Sequence, residues 1–549
     1  MRVLLWAAAA SAAGSAEVSQ LAVDGSAAVT VLPSYFASWN IDPSRNRLFF
    51  DVDWADPQLR YLAAQIGGGR IRFGGGGANH LYYGVPTAEK CPAIIPHVQE
   101  CLNTSMLDAL LDFSAAVRTP LVFGLTLHPA RSGPSPPDGP WNGTNARALL
   151  AYVRRKEQQA SGNGSASAYF AGLELGNEDN VRVKGRNVSA PLAAAAFLVL
   201  QGIVDDLWPC GSTTGKPALI GPDDDGLRPG KTEYVTQYQQ AFIEAIKDTG
   251  VNMYALTHHE YTAAAAKSTL LPAGDSGTQC DVLEPACLNR TARWAAAVMG
   301  AVRARPPGVE VWAGEIGPHI GFGGNSSLAT CNGTALCGRF GSTIWYADAM
   351  AAKARAGYAA FFRQDLVGAQ YALLNSSLPS AAQPLTGSWR PSPDYWVLWL
   401  WKRLVGPQVL RVGVPSDSRL RPYAFCSLPQ EEGAAGGGGG SKVTLLLINL
   451  GEAPLPVRLP SFVEPGSELA TYSLTTGDDA LGVSSWSARL NGAPLALSQD
   501  GTLPAIQPKK AVMGEDGSVT LEPVSVAFVQ VQSSEVLPAC SATRQEMAE

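Results

Sequence analysis

The sequence predicts a (β/α)8 (TIM) barrel followed by a C-terminal antiparallel β-sandwich, and three observations carry that prediction. Between residues 33 and 406, short β-rich runs alternate eight times with longer helical patterns. Two of the apolar runs, Leu173-Glu-Leu-Gly-Asn-Glu178 and Trp312-Ala-Gly-Glu-Ile-Gly317, bring glutamates to strand ends, where such barrels carry their reactive groups. After Gly406 the helical period stops, and β-rich stretches separated by Gly, Pro, Asn and Asp turns take over.

From the N-terminus, Arg2, the apolar run 3–13 and the small residues Gly14-Ser15-Ala16 have the three parts of a secretory signal. Residues 1–16 are therefore expected to direct export of a soluble chain. The alternating segment 17–32 is expected to join the sandwich, which would interlock the two domains. Barrel strands are predicted over 34–40, 69–74, 120–127, 169–178, 218–222, 253–261, 309–317 and 358–366. The helices between them are predicted over 56–66, 105–117, 145–159, 191–207, 235–248, 291–305, 342–356 and 393–405, several opened by a Ser, Thr, Asp or Asn cap or an early Pro. The sandwich spans 407–540, with strands near 442–450, 470–474 and 519–532. Residues 541–549 have no apolar pattern and are expected to be disordered.

Composition excludes several functions. The formal charge is −6, and the one short basic run, Arg154-Arg155-Lys156, lies on a predicted helix face and is expected to be solvated. Nucleic acid is not an expected partner, and a highly sulfated polyanion lacks the clustered cations it would need. The apolar stretch 191–208 is broken by Gln201 and closes on Asp205-Asp206, so it reads as a buried helix and no integral membrane segment is expected in the mature chain. Eight N-x-S/T sequons, at Asn103, Asn142, Asn163, Asn187, Asn289, Asn325, Asn332 and Asn375, suggest a glycoprotein. Nine cysteines in an oxidising compartment should pair, with spacings that favour Cys91–Cys101, Cys280–Cys287 and Cys331–Cys337. Cys426 and Cys540 bracket the C-terminal region and could close it, leaving Cys210 as an odd thiol expected to be buried. No CxxC pair points to zinc. Neither Gly67–Gly77 nor Gly211-Ser-Thr-Thr-Gly-Lys216 has the spacing of a nucleotide loop, so no metal and no cofactor are expected.

Glu178 ends the fourth predicted strand and Glu315 the seventh, nearly opposite around an eight-strand ring. Two carboxylates facing across a sugar-sized gap are the equipment of a glycosidase. One must arrive protonated to serve the leaving oxygen, and the other must be ionised to attack the anomeric carbon. Glu178 is assigned as acid/base and Glu315 as nucleophile, with Asn177 placed to bond the sugar 2-hydroxyl. The Thr257-His-His-Glu-Tyr261 run ends strand six, where Tyr261 could orient the nucleophile. Adjacent residues of a strand face opposite ways, so His258 and His259 are not expected to chelate one metal. Glu174 shares the inward parity of Glu178 and is expected to be a paired structural carboxylate lying deeper.

At these residues the chain resembles the heparanase-like β-glucuronidases of glycoside hydrolase family 79, a retaining group. The matching motifs are Arg70-Ile-Arg-Phe-Gly-Gly75, Glu174-Leu-Gly-Asn-Glu178, His258-His259 with Tyr261, Gly314-Glu315, Arg363-Gln364, Pro393-Asp-Tyr-Trp396 and Lys402-Arg-Leu-Val-Gly406. The resemblance implies that Glu178 is the proton donor and Glu315 the nucleophile. It further implies that a glucuronate carboxylate is held by the amides of Gly323-Gly324 and by Tyr371, and that Asp42 binds sugar. With Asn177, His258, Tyr261 and Gln364 these complete the implied substrate-binding set. The chain departs from the family pattern at Asp179-Asn180, at Glu260 and at Ile316-Gly317. The expectation is a secreted enzyme that removes β-linked glucuronic acid from glycans or glucuronides, exo action favoured for lack of basic clusters. An endo-acting enzyme, a related barrel glycosidase for another sugar, and a catalytically inactive glycan-binding protein remain open alternatives.

Overall fold

The computed structural model describes residues 19–43, 49–85, 100–127, 140–162, 168–180, 188–210, 215–227, 232–262, 281–318, 338–368, 371–376, 389–413, 419–428 and 440–541. Eight parallel strands close into a barrel: β1 (Ala37–Ile41), β2 (Ile71–Phe73), β3 (Leu121–Leu125), β4 (Phe170–Leu175), β5 (Ala218–Leu227), β6 (Ala255–Tyr261), β7 (Glu310–Gly317) and β8 (Ala360–Arg363). The helices α1 (Pro57–Gln65), α2 (Thr104–Ala116), α3 (Thr144–Gly162), α4 (Ala190–Leu207), α5 (Thr232–Thr249), α6 (Pro285–Ala301), α7 (Phe340–Ala356) and α8 (Pro393–Leu404) follow the strands in turn. Local chemistry sets several boundaries. The Asp56 carboxylate accepts from Leu59 N ahead of Pro57, the Asn103 side chain accepts from Met106 N, and Gly357 ends α7 at φ 90°.

Two elements depart from the sequence expectation. The sixth helix starts at Pro285 rather than 291, because a proline is well placed at the first helical position. Strand β5, expected over 218–222, runs on through Asp223-Asp224-Asp225, and all three of these residues are buried in the barrel wall. Helix α4 is long and apolar enough to cross a membrane by composition. Here Phe197, Leu200, Ile203 and Val204 on one of its faces are buried in the main core. Arg154, expected in solvent, is buried instead beside Glu157 and Trp208.

The sandwich is built on a large, mainly antiparallel sheet faced by a three-stranded one. Ala22–Asp24 and Thr30–Val31 pair with Val405–Gly413, and Ser19–Gln20 joins the smaller sheet, so the N-terminal segment does contribute to this domain. The run Lys442–Asn449 is apolar on both faces for a reason: Val443, Leu445 and Leu447 fill the sandwich core, while Leu446 and Ile448 pack toward the barrel. A buried Arg421–Asp348 ion pair, with the Tyr423 hydroxyl on Asp348, ties the large sheet to α7.

Cys426 and Cys540 form a disulfide, closing the sandwich across a separation of 114 residues. Removing it by Cys426→Ala should cost about 2–5 kcal/mol, seen as a lower midpoint in chemical denaturation; an unchanged midpoint would refute this. Cys101 and Cys287 are also disulfide-bonded, and the other cysteines of the expected pairs, Cys91, Cys280, Cys331 and Cys337, lie outside the described residues. Cys210, expected to be buried, is exposed past the end of α4, because Trp208 takes the last buried position there. Of the sequons, Asn289 is half-buried: its amide oxygen accepts from Arg421, and Thr291 is buried.

Candidate active site

Strand parity loads the barrel mouth with charge. The lower interior is plugged by Val122, Ile220, Ala255, Trp312, Ala360 and Phe362. On β2, Ile71 and Phe73 belong to the main core outside the barrel, which turns Arg72 inward; on β4, Leu173 and Leu175 do the same for Glu174. The β6–β7 register shifts between His258 and His259, so that His259 pairs opposite Glu315 with Gly314 accommodated as a bulge. After β4 the chain turns at Gly176 (φ 85°), where a Cβ would sit 2.5 Å from Asp179 Oδ2. Five non-glycine residues among those described have positive φ, and two of them, Glu178 and Asp223, adjoin here through a bond from Glu178 N to Asp223 O. Backbone strain concentrated at one place is a mark of a functional site.

Arg72 is the hub. Its guanidinium donates to Glu174 (2.6 Å), Glu315 (2.9 Å), Asn177 Oδ1 (3.0 Å) and Asp223, and it is wholly buried. His259 bridges Asp223 Oδ1 (Nε2, 2.7 Å) and Glu178 Oε1 (Nδ1, 2.9 Å), with Glu315 Oε2 at 3.9 Å from Nδ1. The Tyr261 hydroxyl donates to Glu315 Oε1. One oxygen each from Glu178 and Glu315 and one nitrogen of His259 all lie within 4.8 Å of one another. The Glu178 side chain is 25% exposed, whereas that of Glu315 is 7% exposed.

The electrostatics follow from these contacts. Burial opposes ionisation of Glu315, but the His259 and Arg72 charges and the Tyr261 hydroxyl outweigh it and hold the carboxyl below its ordinary range. Burial likewise opposes the Asp223 charge and is outweighed by Arg72 and His259. Burial would strip the proton from His259, yet the charges of Asp223 and Glu315 hold it well above the usual imidazole range. With its proton held, His259 makes the Glu178–His259–Glu315 trio a hydrogen-bonded charge cluster. Glu174 lies the other way: burial pushes its carboxyl up to about 8 against the pull of Arg72.

These shifts give each group's contribution to stability its own sign with pH. Between about pH 4.5 and 8 the unfolded chain releases the Glu174 proton while the folded chain keeps it, so stability falls as pH rises. His259, raised on folding, adds stability that is full below about pH 6.5 and lost as pH climbs through its folded value. Asp223 and Glu315, both lowered, weaken the fold only on acidification below the ordinary carboxylate range. His258 and Lys402, whose proton affinity burial lowers, act the other way over this interval, so the expectation is for a difference: Glu174→Gln should gain melting temperature relative to the wild type on going from pH 5 to pH 8. A difference between the two that does not change over that interval would contradict the assignment.

The structure gathers most, but not all, of the residues singled out in the sequence. Glu178, Glu315, Asn177 and Tyr261 converge, although Glu178 sits three residues beyond the end of β4 rather than within it. Asn177 spends its amide oxygen on Arg72, and its amide nitrogen makes no described hydrogen bond. Asp42, at the end of β1, accepts from Gly77 N and braces the loop after β2, where Gly75 (φ 126°) leaves room for its carboxylate. Gln364 follows β8 with the parity of the inward-facing Phe362, and its buried amide has no hydrogen-bond partner among the described residues. Tyr371 is fully buried, with the Arg363 guanidinium 5.6 Å from its ring centroid and no described contact to Glu178 or Glu315. Gly323 and Gly324 lie outside the described residues.

His258 is a correction. It does not enter the site but bonds the Tyr358 hydroxyl behind the strand, where burial and the Lys353 charge push its proton affinity down. The reason is parity: Thr257, His259 and Tyr261 share one face of β6, and His258 and Glu260 the other, where Glu260 pairs with Lys353. His259, Arg72 and Asp223 are the functional residues that sequence reasoning did not select. Arg72 stood within a quoted motif, and its alternation between Ile71 and Phe73 was the available signal.

A closed parallel barrel with two carboxylates converging at the ends of β4 and β7 around a charged hub defines a glycoside hydrolase. Residues 45–350 match the model of the glycosyl hydrolase family 79 N-terminal domain, and the chain belongs to that family. It is 27% identical to heparanase of Gallus gallus over 80% of this chain and 73% of that one. It is 24% identical to heparanase-like protein 3 of Arabidopsis thaliana (83% and 78%), and 24% identical to baicalin-beta-D-glucuronidase of Scutellaria baicalensis (90% and 86%). Solved structures of the same fold include an alpha-L-arabinofuranosidase from Thermotoga maritima, with TM-score 0.61 at 12% identity over 93% of this chain and 99% of that one. Another is a 4-O-alpha-L-rhamnosyl-beta-D-glucuronidase from Fusarium oxysporum, with TM-score 0.59 at 12% identity over the same shares.

Proposed function

We propose that this chain is a secreted retaining β-glucuronidase that removes β-linked glucuronic acid from glycans or glucuronides, with Glu178 as acid/base and Glu315 as nucleophile. The observation that carries the reading is the approach of Glu178 and Glu315 to within 4.8 Å. This close approach of one oxygen from each supports the retaining arrangement, with carboxyl groups roughly 5–5.5 Å apart, over the inverting one at about 6.5–9.5 Å. Glu315, buried and held ionised, has the character of a nucleophile, and the more exposed Glu178 that of a group serving leaving oxygen and water in turn. The choice of glucuronate draws on the names of the relatives, and exo action on the scarcity of clustered cations. Export draws on the 1–16 segment and accords with the Cys426–Cys540 disulfide.

The test is hydrolysis of 4-methylumbelliferyl β-D-glucuronide by the purified chain at several acidic pH values, beside Glu178→Gln. The variant should lose about 10²–10⁴-fold, and proton NMR of early product should show the β-anomer. An α-anomer would overturn the retaining reading. A wild type that cleaves an arabinofuranoside or xyloside and leaves the glucuronide untouched would overturn the sugar assignment.

A further inference from the structure

His259 lies between both catalytic carboxylates, and neither half of a two-glutamate reaction by itself requires a histidine there. Its Nδ1 is 2.9 Å from Glu178 Oε1 and 3.9 Å from Glu315 Oε2, while Nε2 is 2.7 Å from Asp223 Oδ1. The ring is fully buried. We propose that His259 is a fixed imidazolium shared by Glu178 and Glu315 and held charged by Asp223, around which the negative charge of the site passes from nucleophile to acid/base and back. This rests on the retaining reading above and names the group that makes it electrostatically workable.

The charges facing the ring come from every strand around it. Asp223 and, behind it, Asp224 lie on β5, Glu178 follows β4, Glu315 is on β7, and Arg72 of β2 has Nη2 3.4 Å from Nε2. Asp223 is pinned by Arg72 on its other oxygen and fixes one ring proton on Nε2. The adjacent Glu178 and Glu315 favour a second proton on Nδ1, which then donates to Glu178 Oε1. An oxygen that accepts from an imidazolium is a poor place for a proton, so the acid proton of Glu178 is confined to Oε2.

In the first step an oxygen of Glu315 bonds the anomeric carbon, the glycosidic C–O bond breaks, and the Glu178 proton passes to the leaving oxygen. Glu315 becomes a neutral ester and Glu178 an anion. In the second step water attacks the anomeric carbon, the bond to Glu315 breaks, and a water proton goes to Glu178. The trio of Glu178, His259 and Glu315 carries the same net charge before, between and after these steps. The anion merely changes neighbours around one cation, so no uncompensated charge forms beside the buried ring.

The experiment is an NMR titration of His259 in the full-length chain, assigned by a His259→Gln variant, together with pH–rate profiles of wild type and Asp223→Asn. In wild type both ring nitrogens should stay protonated from pH 5 to 8. In Asp223→Asn the ring should titrate near an ordinary imidazole. The alkaline limb of kcat/KM should then move, because the cation that the site shares is no longer held across that pH range. Loss should be at least about tenfold greater on a phenyl than on a 2,4-dinitrophenyl glycoside, whose departure needs no proton. A His259 that titrates near 6.5 in the wild type overturns the proposal, as does an unmoved limb in Asp223→Asn. The ring titration needs no substrate, and rates are read on whichever glycoside the wild type cleaves. Failure of the sugar assignment is thus separate from failure of this inference.

Discussion

Glu315→Gln is expected to abolish turnover, with kcat reduced on the order of 10⁵-fold, the scale seen when a covalent nucleophile is removed. The amide has nearly the same shape, but it cannot form the glycosyl ester and it carries no charge. Its NH₂ group would face Arg72 Nη or the Tyr261 hydroxyl, both of which donate to the carboxylate in the native chain. Folding should survive, since the change removes one of several buried anions around a cationic hub. The decisive comparison is a covalent glucuronide-configured inactivator, which should label the wild type at Glu315 and leave the variant unlabelled by intact mass. Labelling of Glu315→Gln, or activity within tenfold of wild type, would remove Glu315 from the nucleophile role.

Arg72→Met should be the second most damaging change, striking stability as well as rate. The side chain is fully buried and bonds Glu174, Glu315, Asn177 and Asp223 at once. Its removal leaves buried carboxylates without their counter-charge, a loss of about 3–5 kcal/mol by the usual cost of breaking a buried pair from one side. Activity should fall on the order of 10³-fold, because nothing then orients Glu315 or restrains its proton affinity. Arg72→Lys should recover little, since one ammonium cannot span partners on β4, β5 and β7 that a planar fork reaches. Urea denaturation beside steady-state rates checks both parts. A lysine variant with native stability and rate would show that the hub is dispensable.

The sites of agreement and of error in the sequence reading have a common physical basis. The eight strand–helix alternations, the caps at Asp56 and Asn103 and the proline openings at Pro57 and Pro393 are written in residues adjacent along the chain. Glu178 and Glu315 were legible because strand-end position in a barrel is itself a local property of the pattern. The choice of His258 over His259 failed because it turned on one step of parity at a register shift. Asp223 was missed because the fifth strand was expected to end at 222, and only its burial in the folded barrel reveals what it faces.

The amino-acid sequence by itself determined the barrel, the sandwich and the two glutamates that carry the proposed chemistry, since periodicity, capping and strand ends are short-range signals. The tertiary structure alone decided which charges meet. Arg72 reaches Asp223 across 151 residues and Glu315 across 243, and His259 reaches Glu178 across 81. Such pairings depend on barrel closure and on the inward parity of each strand, and a buried charge takes its meaning from partners that closure brings within a few ångströms.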